Sequence, residues 1–222
     1  MNTLLIRLIA PMQSWGVQSN FDVRDSGLEP SKSGVIGLIC SALGRPREAP
    51  LEDLTVLKMG VRIDREGSLR RDYQIAQDVL EAKGTGTKPS LPSNRYYLSN
   101  AAFLVGLEGE NVALLEQIQH ALQHPKWATF LGRKSFTPSA PVWLNDGLRF
   151  NQELEDALKS FGWIYAWKDG VAPEKLRFVM EDAAGEQVRT DVPISFAERR
   201  FSSRRVTTRI LSAPTSLAEE VL

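Results

Sequence analysis

The sequence predicts an α+β fold. Three observations carry the prediction: short runs of alternating apolar residues, two longer runs with helical spacing, and the order in which they follow one another. Thr3 to Ile9 alternates, with Leu4, Ile6 and Leu8 on one face, and reads as a first strand. A loop rich in turn formers runs from Pro11 to Pro30. Ser31 or Ser33 then offers a cap for a helix with apolar positions at Val35, Ile36, Ile39, Ala42 and Leu43, which Gly44 ends and Pro46 keeps ended. Leu57, Met59, Val61 and Ile63 alternate as a second strand. Residues 65 to 95 break the rhythm as a long polar insertion, and Tyr96 to Leu107 restores it as a third strand. Val112, Leu115, Ile118 and Leu122 mark one face of a second helix, closed by His124-Pro125. A turn around Gly132 and a short strand from Pro141 to Leu144 complete the series.

Strand, helix, strand, insertion, strand, helix, turn, strand is the ferredoxin-like order, with two helices on one face of an antiparallel sheet. The RNA-recognition module uses the same layout. After Arg149 the character changes. A short helix from Asn151 to Ser160 leads to strands near Trp163 to Trp167, Leu176 to Glu181, Gln187 to Ile194 and Arg204 to Leu211. The expected division is a domain over 1–148, carrying the insertion as a β-hairpin, and a small β-rich part over 149–222.

The chain has 222 residues, enough for one large domain or two small ones, with 27 Lys plus Arg against 27 Asp plus Glu. Zero formal charge means that a nucleic-acid partner must be argued from local clustering. Such a cluster exists at Arg189, Arg199, Arg200, Arg204, Arg205 and Arg209. The lone Cys40 excludes an internal disulfide framework and any cysteine-rich zinc site. Met1 to Pro11 is too short for a membrane span and lacks the order of a signal peptide, so the chain reads as soluble and intracellular.

Five segments carry candidate chemistry. In Pro11-Met12-Gln13-Ser14-Trp15-Gly16, Gln13 and Ser14 suit hydrogen bonds to bases or phosphates, and Trp15 suits either stacking on a base or burial in the core. Pro30-Ser31-Lys32-Ser33-Gly34 gathers amides, hydroxyls and a lysine at a helix start, as an anion site or as ordinary capping. Thr129-Phe130-Leu131-Gly132-Arg133-Lys134-Ser135 places two cations on a glycine turn that suits a phosphate backbone. Gly84-Thr85-Gly86-Thr87 neither follows a clear strand nor opens a clear helix, so it is a loop tip and not a dinucleotide site. Its flanks pair cations with aromatics: Arg70, Arg71 and Tyr73 on one side, Arg95, Tyr96 and Tyr97 on the other. Ser195 to Arg209 interleaves Phe196 and Phe201 with arginines, as a phosphate-binding strip or a charged edge strand. His120 and His124 lie four apart on a helix with no third metal ligand near. His120 could act as a general base in RNA cleavage, but no constellation supports it.

These segments resemble the CasD family, the subunit of the type I-E CRISPR Cascade complex that holds the 5′ repeat-derived handle of the guide RNA. The matching residues are Leu5-Ile6-Arg7-Leu8 with Pro11 to Gly16, Pro30 to Leu38 with Leu43-Gly44, Arg71-Asp72-Tyr73, Arg95-Tyr96-Tyr97-Leu98 and Phe130 to Ser135. The order and spacing hold from Thr3 to about Arg205. The resemblance implies a ferredoxin-like domain with a protruding thumb at about 72–97, which folds over the guide and touches the next backbone subunit. It implies a place capping the backbone filament, next to the large subunit that inspects target DNA, in the cytoplasm, with no cofactor and no metal.

The expected RNA contacts are Gln13, Ser14, Trp15, Lys32 and Ser33 for the handle, with Arg133 and Lys134 as a backbone clamp. Arg71, Arg95 and Tyr96 brace the thumb base, and Arg199, Arg200, Arg204 and Arg205 complete the groove. Binding without catalysis is the leading expectation. A related branch of the family cleaves repeat RNA with a Tyr, Lys and His set, so the alternative is a metal-independent endoribonuclease.

Overall fold

The computed structural model describes residues 1–16, 23–81, 83–84, 86–165 and 172–218. Part of the expected Pro11–Pro30 loop, Thr85 of the glycine-rich tip, and the 166–167 end of the strand expected near Trp163 lie outside the described residues.

The protein is a mixed α and β chain, mostly sheet with few helices. Its main sheet has seven strands. β1 (Asn2–Ile9) lies between β7 (Ala102–Gly109) and β8 (Trp143–Arg149), and β4 (Lys58–Arg65) flanks β7. The helices α1 (Lys32–Leu43) and α3 (Val112–Gln123) connect these strands, and the short α2 (Glu52–Thr55) precedes β4. The four strands run antiparallel in the order β4-β7-β1-β8. β9 (Lys175–Glu181), β11 (Arg200–Ser212) and β10 (Gln187–Ser195) extend the same sheet outward from β4, so strands on both sides of residue 149 share one hydrogen-bonded sheet.

Alternation explains the two cores. Leu4, Ile6, Leu8, Met59, Val61, Ile63, Phe103 and Val105 point to one face, where they bury against Val35, Ile36 and Ile39 of α1 and Leu115, Ile118 and Leu122 of α3. On the opposite face, Leu5, Leu104, Phe178 and Met180 meet Leu154, Ala157 and Leu158 of α4 (Leu154–Ser160), with Phe161, Trp163 and Ile164. Arg62 sits in this second layer at 0 % exposure. It pairs with Asp64 at 2.7 Å and donates to the carbonyls of Leu158, Phe161 and Gly162 at 2.7, 2.5 and 2.8 Å. Asp64 also accepts from the Ile164 amide at 3.1 Å. These bonds satisfy the carbonyls that α4 leaves unpaired at its C-terminal end.

Residues 65 to 95, read in the sequence as a break in rhythm, are largely strand. β5 (Ser68–Leu80) and β6 (Thr87–Ser99) pair antiparallel from Ser68↔Ser99 to Leu80↔Thr87. The strand expected over Tyr96 to Leu107 is two strands. Asn100 adopts a positive φ of 55°, and the chain passes there from β6 to β7. Asparagine tolerates that conformation better than most side chains, a local preference that the apolar pattern does not reveal. Two short strands, β2 (Met12–Gln13) and β3 (Val23–Arg24), dock on β6 and tie the hairpin base to the loop after β1. The expected short strand at Pro141 to Leu144 runs instead from Trp143 to Arg149, and among the described residues Trp163 forms an isolated bridge to Leu217.

Candidate nucleic-acid interface

Three segments far apart in sequence meet at the base of the β5–β6 hairpin. The Ser14 amide donates to the Leu131 carbonyl at 3.1 Å, and the Ser14 hydroxyl donates to the Tyr96 carbonyl at 3.3 Å. Arg133 donates to the same Tyr96 carbonyl at 2.8 Å and lies over the Phe136 ring, 5.3 Å from its centroid. Gly132 makes this approach possible. Its φ is +92°, and a Cβ there would sit 1.7 Å from the Ser14 carbonyl oxygen, so the backbone contact requires glycine.

A cleft of about 300 Å³ opens above this junction, lined among others by Ser14, Arg24, Asp25, Ser33, Arg133 and Phe201. Burial lowers the Arg133 guanidinium from its ordinary value, and the nearby Arg95 and Arg24 charges push the same way, against the opposing effect of Asp72 and Asp25. Arginine keeps its charge at neutral pH nonetheless. Among the described residues, the side chains of Arg24, Lys134 and Arg71 make no ion pair or hydrogen bond, and all three are exposed. Arg95 donates to the Ser93 hydroxyl at 3.3 Å.

The remaining sequence candidates divide between surface and interior. Gln13 is buried, donating to the carbonyls of Leu8 and Ala101 at 3.2 and 2.8 Å and accepting from the Trp15 indole at 3.2 Å. Trp15, at 1 % exposure, takes the core alternative. Its ring lies where a side chain on Gly34 would clash, with the built Cβ 2.8 Å from the six-membered ring. Lys32 is interior as well. Its side chain is 2 % exposed and pairs with Glu181 at 2.9 Å. Burial lowers its ammonium from the ordinary lysine value, with Glu181 opposing.

The α1 start is met by the protein itself. Ser31 caps it, accepting from the Gly34 amide at 3.3 Å, and Asp191 accepts from the Lys32 amide at 2.8 Å. Ser33 lines the cleft, its hydroxyl 3.4 Å from that of Ser31.

The C-terminal arginines do not form one strip. Arg204 grips Asp191 at 2.7 and 2.9 Å, Arg205 donates to the Gly185 carbonyl at 3.0 Å, and Arg200 pairs with Glu198. Arg199 is exposed and lines a second cleft of about 420 Å³ that adjoins the first. Arg24, Arg47 and Trp127, which the sequence reading did not single out, line one or other cleft. Each stands in a loop or short strand without a motif, so only the tertiary fold marks them.

His120 and His124 are exposed on the α3 side, their rings 4.9 Å apart, and neither lines either cleft. Among the described residues, no group of three or more His, Cys, Asp or Glu side chains could hold a metal, and no helix is long and apolar enough to cross a membrane.

Comparison with known proteins agrees with this architecture. The CasD subunit of the CRISPR system Cascade from Escherichia coli (strain K12) is 27% identical over 219 residues, covering 90% of this chain and 92% of its own. A crystal structure titled as a Cas protein superposes with a TM-score of 0.78 at 43% identity, over 96% of this chain and 97% of the other. A chain of a CRISPR RNA-guided surveillance complex superposes with the same TM-score at 29% identity, over 96% and 91%. A family model described as CRISPR-associated protein (Cas_Cas5) matches residues 3–207, which is nearly the whole chain, and the protein therefore belongs to that family.

Proposed function

We propose that the protein is a non-catalytic subunit of a CRISPR Cascade surveillance complex that binds the 5′ repeat-derived handle of the guide RNA. In this reading it caps the filament of backbone subunits beside the large subunit, and meets target DNA only through the assembly. The observation that carries the proposal is the cleft at the hairpin base. There Arg24 and Arg133 line the cleft with Ser14, Ser33 and one carboxylate, Asp25, while Arg95 and Asp72 act on Arg133 from nearby; a polyanion would relieve the repulsion among the three arginines.

The strand order β4-β7-β1-β8, with α1 and α3 on one face, supports the ferredoxin-like reading of the 1–148 part. The β5–β6 hairpin supports the thumb reading of about 72–97, with Arg71, Arg95 and Tyr96 at its base. Burial assigns different roles within the candidate set. In this reading Arg133, Lys134, Ser33, Arg71, Arg95 and Arg199 touch RNA, while Ser14, buried and donating to the Tyr96 carbonyl, supports them. Gln13, Trp15, Lys32 and Arg204 hold the loops that present them, from beneath.

The test is a gel-shift of the protein, alone and with partner subunits, on labelled repeat RNA in chelator. A shifted, intact RNA that needs its 5′ handle is the expected result. A shorter RNA product, abolished by His120→Ala, would replace this reading with the endoribonuclease.

A further inference from the structure

We infer that the second cleft, beside α1, receives one unstacked nucleobase of the bound RNA. The inference rests on the RNA-binding reading above. Its volume of about 420 Å³ falls within the usual range for small-ligand pockets. It is continuous with the cationic cleft, because Ser33, Gly34, Gly132, Phe196 and Phe201 line both. A strand held at Arg133 therefore reaches it without leaving the protein surface.

The lining suits a flat ring with a charged backbone. Gly37 of α1 presents no side chain, and the Phe196 ring lies 3.7 Å from where its Cβ would be. Trp127 is 47% exposed, yet main-chain bonds fix its position: its amide donates to the Ser41 carbonyl at 3.2 Å, and the Lys126 amide donates to Ala42 at 2.9 Å. Those bonds cap the end of α1 and would form with any residue at 127, so they do not account for an indole at the surface. Aromatic faces of this kind stack bases with little sequence preference.

Charge selects the occupant. Among the described residues, no carboxylate lines the cleft. Arg45 is committed to Asp53 at 2.7 and 2.6 Å, which leaves Arg47 and Arg199 exposed and without a side-chain partner among the described residues. An apolar side chain of a protein partner would leave both cations uncompensated. A nucleotide places its base on the aromatics and its phosphate at the arginines.

The test is an abasic scan. Repeat RNAs, each with one abasic site in the handle, are titrated against the wild-type protein, Trp127→Ala and Trp127→Phe. One position is expected where base removal weakens wild-type binding about tenfold, where Trp127→Ala binds intact and abasic RNA equally, and where Trp127→Phe keeps most of the discrimination. Equal binding of every abasic RNA by the wild type would overturn the base pocket while leaving RNA binding in place. Failure of the wild type to bind any handle RNA would overturn both. Unchanged RNA binding by Trp127→Ala, together with weaker association with partner subunits, would assign the cleft to a protein instead.

Discussion

Replacing Arg133 and Lys134 separately distinguishes two kinds of cation on one turn. Lys134 is exposed and has no partner among the described residues, so under the proposed function its expected contribution to RNA binding is one phosphate contact. For a single strand, each neutralised phosphate contributes about 0.7 to the slope of log affinity against log salt, which at ~0.1 M salt is about fivefold in affinity. Lys134→Ala is expected to lose that much and to leave stability unchanged. Arg133 has a second role, because its guanidinium donates to the Tyr96 carbonyl of β6 and spans the turn and the hairpin base. A charged hydrogen bond contributes roughly 1.5–3 kcal/mol. This one is half-exposed and Ser14 also donates to the same carbonyl, so about 1 kcal/mol is the expected loss. Arg133→Ala should therefore flatten the salt slope as Lys134→Ala does, and should also weaken binding a further five- to tenfold. Arg133→Lys keeps the charge but not the fork, so it should retain the slope and lose only the second component. Fluorescence anisotropy of labelled handle RNA from ~50 to ~300 mM salt measures both quantities. If Arg133→Lys binds with wild-type affinity, the bridge to Tyr96 has no role in binding. If neither alanine variant changes the slope, the turn does not touch phosphate.

Three other substitutions probe the interior. Lys32→Met should lower the melting temperature, because Glu181 loses a buried partner, and should leave the salt slope of RNA binding unchanged; a flatter slope would make Lys32 a phosphate ligand after all. Arg62→Met strands Asp64 and three carbonyls in the α4 layer and is expected to cost about 3–5 kcal/mol, read by chemical denaturation. Burial pushes the Asp191 carboxyl up, but the hydrogen bonds and charge of Arg204 and the Lys32 amide outweigh it and hold the group below the usual carboxylate range. The stabilisation this gives is present above the unfolded carboxyl value of about 3.9 and is lost as pH falls through the lower folded value, so Asp191→Asn should flatten the acid limb of a melting-temperature profile below about pH 4.

Much of the fold is legible in the sequence because the main strands alternate cleanly and the helices carry their own caps. Leu4, Ile6 and Leu8 name the buried face of β1, and Ser31 and Gly44 mark the ends of α1. The hairpin is less legible. β5 is exposed along most of its length and β6 over its outer end, and the two stabilise each other mainly by pairing, so no core-facing period marks them. The split at Asn100 depends on a single positive φ, and apolar counting passes straight through it.

The site is less legible still, because a cation's role depends on the carboxylate that folding places beside it. Lys32 reads in sequence as a phosphate ligand at a helix start, yet its partner is Glu181, 149 residues away. Arg204 reads as part of a basic strip, and Asp191 claims it from the neighbouring strand. Glu29 takes Arg177 at 2.8 Å and also Arg189, and Asp64 takes Arg62. Each of these pairs withdraws a base together with its acid, so pairing by itself leaves the surface no more positive than the neutral sequence. Arg24, Arg47 and Arg199 line the two clefts without ion pairs among the described residues. The cations at the clefts are therefore a matter of position and not of excess: formal charge conceals which bases the fold leaves unpaired in one place, and only the tertiary contacts reveal it.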